Sequence, residues 1–119
     1  MSLNTQEIFD TVASKYGATA EHEKFVQWFF LALTRIGNDL ASSKVGISIT
    51  IPTDLETDID CDDHYFGTFL DGLNLYIQES GMWGSDESNT LEVRYERDLR
   101  KAHTHYMGTQ TVYTGINGA

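Results

Sequence analysis

The stretch DDHYFGTFLDGLNLYIQESGMWGSDESNTLEVRYERDLRKAHTHY, residues 62–106, decides the fold. Asp62 or Asp63 is placed to cap a helix, after which Tyr65, Phe69, Leu73, Tyr76 and Ile77 recur at helical intervals until Gly81 closes the run. After a short turn over Gly81–Ser85, the residues Leu91, Tyr95, Leu99, Ala102 and Tyr106 form the seam of a second helix over about 86–106. So short a connection favours antiparallel neighbours, and the second helix should return along the first.

Upstream, Asn4 followed by Glu7 has the spacing of a capping-box variant. Ile8, Phe9, Val12 and Tyr16 then share one face before Gly17, which predicts a helix over about 5–16. Thr19 is expected to cap the next helix, with Glu21 and Glu23 in its first turn and Phe25, Phe29, Ala32, Leu33, Ile36 and Leu40 as its buried stripe. Trp28 and Phe30 lie off that stripe, so this helix needs a second cover, either the first helix folded back over it or another subunit.

Gly46 ends the helical region, and Ile47-Ser48-Ile49-Thr50-Ile51 alternates apolar and hydroxyl residues until Pro52, which predicts a strand. A lone strand needs a partner; Thr109–Thr114 is the internal candidate and a neighbouring chain the external one. Residues 52–63 read as a polar loop, and the tail Thr109–Ala119 carries no charged side chain. The expected architecture is mainly α: a small helical bundle of about four helices with one short strand or hairpin, one domain over 1–108, and an extended C-terminal arm over 109–119.

Composition excludes several classes. The chain has 119 residues, long enough for one compact domain, and at 40% hydrophobic it can bury a core. Eighteen acidic against eight basic residues give a net charge of −10, which repels phosphate backbones. Cys61 is the only cysteine, so neither an intrachain disulfide nor a cysteine-based zinc site can form within one chain. The apolar cluster 25–36 is interrupted by Gln27, Thr34 and Arg35 and falls short of the roughly 20 residues that span a bilayer. Met1-Ser2-Leu3 lacks the charged start and apolar run of a secretory signal.

The carboxylates of 54–63 invite a calcium reading, but register opposes an EF-hand. Counted from Asp58, the sixth position is Asp63 and the twelfth Phe69; counted from Asp60, the tight-turn position is Tyr65. His103 and His105 stand two apart on a helix and point apart, while His22 and His64 sit near helix starts as ordinary surface residues. No nucleophile–base pair or phosphate loop stands out, so neither catalysis nor a cofactor is expected. Charge placement says more: Arg94, Arg97, Arg100 and Lys101 put half the basic residues on the last helix, opposite in sign to Asp54, Glu56, Asp58 and Asp60. That arrangement suits either head-to-tail contact between subunits or a lattice within the helix such as Glu96–Arg100.

The order of an N-terminal helical pair, Ile49-Thr50-Ile51-Pro52, an acidic loop, Tyr65-Phe66-Gly67-Thr68-Phe69-Leu70-Asp71-Gly72-Leu73, a short turn and Tyr95-Glu96-Arg97-Asp98-Leu99 resembles tailed-bacteriophage head–tail connector adaptors, the neck proteins that form a ring beneath the portal. The resemblance lies in layout and hydrophobic spacing rather than in a diagnostic motif. It implies a structural virion protein without turnover, a homo-oligomeric ring of a dozen copies that meets the portal protein and a downstream tail or neck protein while DNA passes through its lumen. It implies assembly in the host cytoplasm, and an arm, with Val112, Tyr113 and Ile116, that reaches toward the portal. Two competing readings are a small acidic inhibitor or nucleic-acid mimic that blocks a basic cleft, and a metal-dependent enzyme that uses the 54–63 carboxylates with His64.

Overall fold

Four helices carry the fold: α1 (Thr5–Tyr16), α2 (Glu23–Ala41), α3 (Phe66–Glu79) and α4 (Ser88–Gly118), with a single 3-10 turn, Asp63–Tyr65, leading into α3. They are seen in a computed structural model that describes residues 2–19, 21–42, 44–79 and 88–118, and side chains of the last helix over 90–108. The expected turn Gly81–Ser85 lies outside the described residues.

The first helix starts and stops as its sequence dictates. Asn4 Oδ1 accepts the Glu7 N–H at 2.8 Å, satisfying one orphan donor of the first turn. Gly17 ends it at φ 67°, a left-handed conformation that lets Ala18 N–H return to Ala13 O at 2.9 Å. Helix α2 begins later than Thr19 implies: its N-cap is His22. The His22 ring nitrogen Nδ1 accepts from Thr19 N–H at 2.9 Å, so Thr19 shapes the turn before the helix rather than capping it.

All six expected stripe residues of α2 are buried. Phe9 of α1 sets its ring edge-on to Phe25 and Phe29 at 5.7 and 5.0 Å, placing α1 over the stripe. Helix α3 is the centre of the bundle and touches α1, α2 and α4. Burial therefore extends beyond its expected stripe to Thr68, Gly72, Leu75 and Gln78. Helix α4 runs antiparallel to α3, since Asp71 pairs with Arg94 while His64, before α3, stacks on His105.

Gly72 is where the helices approach most closely. A Cβ there would lie 2.7 Å from Tyr95 Cε1 and 2.8 Å from Ile36 Cγ1, so α2 and α4 both press on the backbone of α3. Gly37 plays the same part for the chain that follows α2: a Cβ would lie 2.7 Å from Ile51 Cγ1.

The strand expected at Ile47–Ile51 is not formed, and no strand occurs among the described residues. The alternation is nevertheless expressed: Val45 and Ile47 are buried and Ile49 and Ile51 half-buried, while Gly46, Ser48 and Thr50 face out. An extended chain laid on a helical surface obeys the same period of two as a strand, without a ladder. Ile47 N–H instead donates to Leu40 O at 2.7 Å, and Val45 O meets His103 Nδ1 at 3.0 Å. Among the described residues the β pairing that does form is one bridge, in which Leu3 and Ile59 exchange N–H···O bonds of 2.8 and 2.9 Å.

Helix α4 runs along the backbone to Gly118, and the side chains of the arm expected over 109–119 lie outside the described residues. Gly108 is not among the glycines at positive φ, so it does not cap the helix and stays within it at a propensity cost of about 1 kcal/mol relative to Ala.

Two glycines of α3 should respond oppositely to the same change. Gly67→Ala meets open space and should raise stability by about 0.5 kcal/mol. Gly72→Ala should lower it by about 1–2 kcal/mol, overpacking outweighing the helical gain. Urea denaturation of both variants checks the pair.

Candidate functional site

Three surfaces and three polar clusters could carry function. The acidic loop is held rather than loose. Thr5 Oγ1 donates to Thr57 O at 2.5 Å, Asp54 Oδ1 accepts Thr57 N–H at 2.8 Å, and the Leu3–Ile59 bridge fixes the far end. The bonds from Thr57 pull the Asp54 carboxyl below its ordinary pKa. Asp54, Glu56, Asp58 and Asp60 all stay exposed.

On α4, Arg94 is committed within the chain, its Nη2 lying 3.2 Å from Asp71 Oδ1. Arg97, Arg100 and Lys101 are exposed and make no ion pair among the described residues, so the expected Glu96–Arg100 lattice is not formed. Val112, Tyr113 and Ile116 have side chains outside the described residues.

The third surface is the outer face of α2. Leu31 is 59% exposed and stands between two shallow grooves. One is lined by Trp28, Arg35 and Tyr76, the other by Val26, Phe30, Ile51 and Pro52. No α1 residue lines either groove, and Trp28 and Phe30 are only half-buried among the described residues.

Inside, Asp39 of α2 accepts hydrogen bonds from Tyr76 of α3 and from Tyr95 of α4, the latter at 2.8 Å. Burial, then the bond to Asp39, raises both phenol pKa values. Arg35 lies 3.8 Å over the Tyr76 ring and pairs with Glu79 at 3.5 Å, closing the outer side of the cluster.

Asp98 of α4 lies against Asp71 of α3. Burial, followed by the hydrogen bond to Asp71 and that residue's charge, pushes its pKa up to about 6. Its Oδ2 is buried without a hydrogen-bond partner.

The third cluster brings His105 to Asp62 and His64, a partner that sequence reading does not join to them. Asp62 caps the 3-10 turn by accepting His64 N–H at 2.9 Å, and its other oxygen meets His105 Nε2 at 2.9 Å. His64 Nδ1 also reaches Asp62 Oδ1 at 3.2 Å, and the two imidazoles stack with centroids 4.0 Å apart. His64 is thus part of a defined constellation rather than an ordinary surface residue. The backbone bond from His64, then His105, draws Asp62 down to about 2. Neighbouring Cys61 goes the other way: burial and the surrounding carboxylates raise its thiol to about 11, so it remains protonated and inert at neutral pH. His103 points elsewhere, to Val45 O, as its spacing from His105 requires.

No helix among the described residues is long and apolar enough to cross a membrane. Comparison with protein-family models, curated proteins and solved structures found no significant match to the chain.

The carboxylate pair gives a pH signature. Asp98 keeps its proton to higher pH when folded than when unfolded, so its ionisation destabilises the native state as pH rises from about 4 toward 6. Asp98→Asn should therefore stabilise the protein at pH 7.5 by about 1 kcal/mol, screening by solvent having reduced the full effect, and change little at pH 4. Urea midpoints at the two pH values measure this. Asp39→Ala, which leaves two phenol hydroxyls without their acceptor, should cost about 2–4 kcal/mol, against about 1 for Tyr95→Phe.

Proposed function

We propose that this chain is a non-catalytic structural subunit, a head–tail connector adaptor that assembles into a ring between portal and tail. The observation that carries the reading is the outer face of α2, where Leu31 is exposed between two partly apolar grooves. A monomer gains nothing from leaving such a face open, whereas a neighbouring subunit would bury it. Charge supports the same reading: exposed Arg97, Arg100 and Lys101 on one element and a held acidic loop on another supply complementary faces for a head-to-tail contact. The portal and the next tail protein are the proposed partners above and below. DNA would pass a wall that offers it few phosphate contacts, given a net charge of −10.

A second reading rests on the acidic loop alone. Its carboxylates are exposed on a backbone held at both ends, as a surface that imitates a phosphate chain would need. The two separate by mass. Native mass spectrometry with a portal protein present should give a ring-sized complex, and Leu31→Glu should abolish it while leaving unfolding stability within about 0.5 kcal/mol. A persistent monomer would overturn the ring, and tight binding to a basic nucleic-acid enzyme that Asp58→Asn with Asp60→Asn abolishes would establish the mimic.

A further inference from the structure

We propose that Asp62, His64 and His105 form a binding site for one late first-row divalent cation, Zn2+ foremost, which staples the loop before α3 to α4. The inference does not depend on the ring.

One ligand atom from each residue, a carboxylate oxygen and two imidazole nitrogens, falls within 4.8 Å of the others. Ligands at Zn–N and Zn–O distances of about 2.0–2.1 Å sit about 3.3–3.4 Å apart around a tetrahedral ion. His105 Nε2 lies 2.9 Å from Asp62 Oδ2 and His64 Nδ1 3.2 Å from the other oxygen, Oδ1, so the two imidazoles already flank one carboxylate and must draw together around a shared ion. The main adjustment falls to His64. Its ring lies nearly parallel to that of His105, at 14°, and must swing so that both lone pairs converge. Its side chain is 69% exposed, so it has room to turn once it leaves the stack on His105. His105 is the anchored ligand, with the Tyr65 ring edge-on to it at 6.0 Å.

Donor chemistry selects the ion. Two imidazoles with one carboxylate suit Zn2+, Co2+ or Ni2+, whereas Ca2+ requires six to eight oxygens and Mg2+ an oxygen octahedron. Water would complete the shell on the open side. Asp60 and Asp63 flank the cluster in sequence and add negative charge, while Lys101, which shares the adjoining cleft with Asp98 and His105, is the one opposing charge lining it. The bound ion would close a loop of 43 residues between Asp62 and His105.

The test uses the full untagged chain, stripped of metal and titrated with ZnCl2 by calorimetry, with thermal unfolding in parallel. One equivalent should bind, and Tm should rise by several degrees at about a hundredfold excess over Kd. Mg2+ and Ca2+ should leave Tm unchanged. His64→Ala, which removes an exposed side chain and should fold normally, should weaken Zn2+ binding about tenfold or more, as should Asp62→Asn; His22→Ala should bind as the parent does. Co2+ bound to the parent should show visible d–d absorption that His64→Ala loses. No heat and no Tm shift with Zn2+ up to about 1 mM would overturn the proposal. Equal affinity in the parent and His64→Ala would overturn it too, as would Ca2+ binding as tightly as Zn2+, which would move the site to the acidic loop.

Discussion

The packing of α2, α3 and α4 turns on the space left by Gly72. Ile36 and Tyr95 both occupy the volume that a side chain there would fill, so three helices meet around one missing Cβ. The same closeness carries the Tyr95 hydroxyl on to Asp39, where it joins that of Tyr76. A partly buried carboxylate is costly unless its lone pairs are met, and here two O–H donors from two other helices meet it. Distance is therefore set by an absence of side chain, and the rotation of the helices about their axes by a polar triangle that accepts one arrangement.

What remains outside follows from what that interior consumes. Helix α3 spends nearly all its circumference on neighbours, so it offers partners little. Partners are left to α2, to the polar face of α4 and to the loop between them. The loop is a fixed surface, since Thr5, Leu3 and Asp54 hold it while its acidic side chains stay in water. Arg94 shows the opposite outcome: a residue on the basic face drawn inward by Asp71, leaving Arg97, Arg100 and Lys101 to give that face its sign.

The boundaries of α1 were legible from local rules, whereas Thr19 did not mark the start of α2. Asn4 and Gly17 bracket α1 because capping needs only neighbouring residues, and the α2 stripe is read from periodicity alone. The segment Val45–Ile51 shows where such reading stops. Alternation reports which residues are buried, not what the backbone bonds to, and an extended chain crossing Gly37 satisfies it without a partner strand. Asp62 and His64 are sequence neighbours, but His105 was out of reach because tertiary register alone joins it to them. The antiparallel pairing that sets Gly72 opposite Tyr95 also sets Asp62 opposite His105, ten residues from each. That register was implicit in the helical hairpin but not in any local motif.

The bridge between Leu3 and Ile59 has a bearing on the order of events during synthesis. Helix α1 packs against α2 and α3, and the chain just before it is fastened to a residue more than fifty positions downstream. Local signals can start α1 as it emerges, yet its tether and much of its cover do not exist until half the chain has been made. Early intermediates on the ribosome should therefore display Ile8, Phe9 and Val12 to the surroundings, and completion must wait for α3 to leave the exit tunnel.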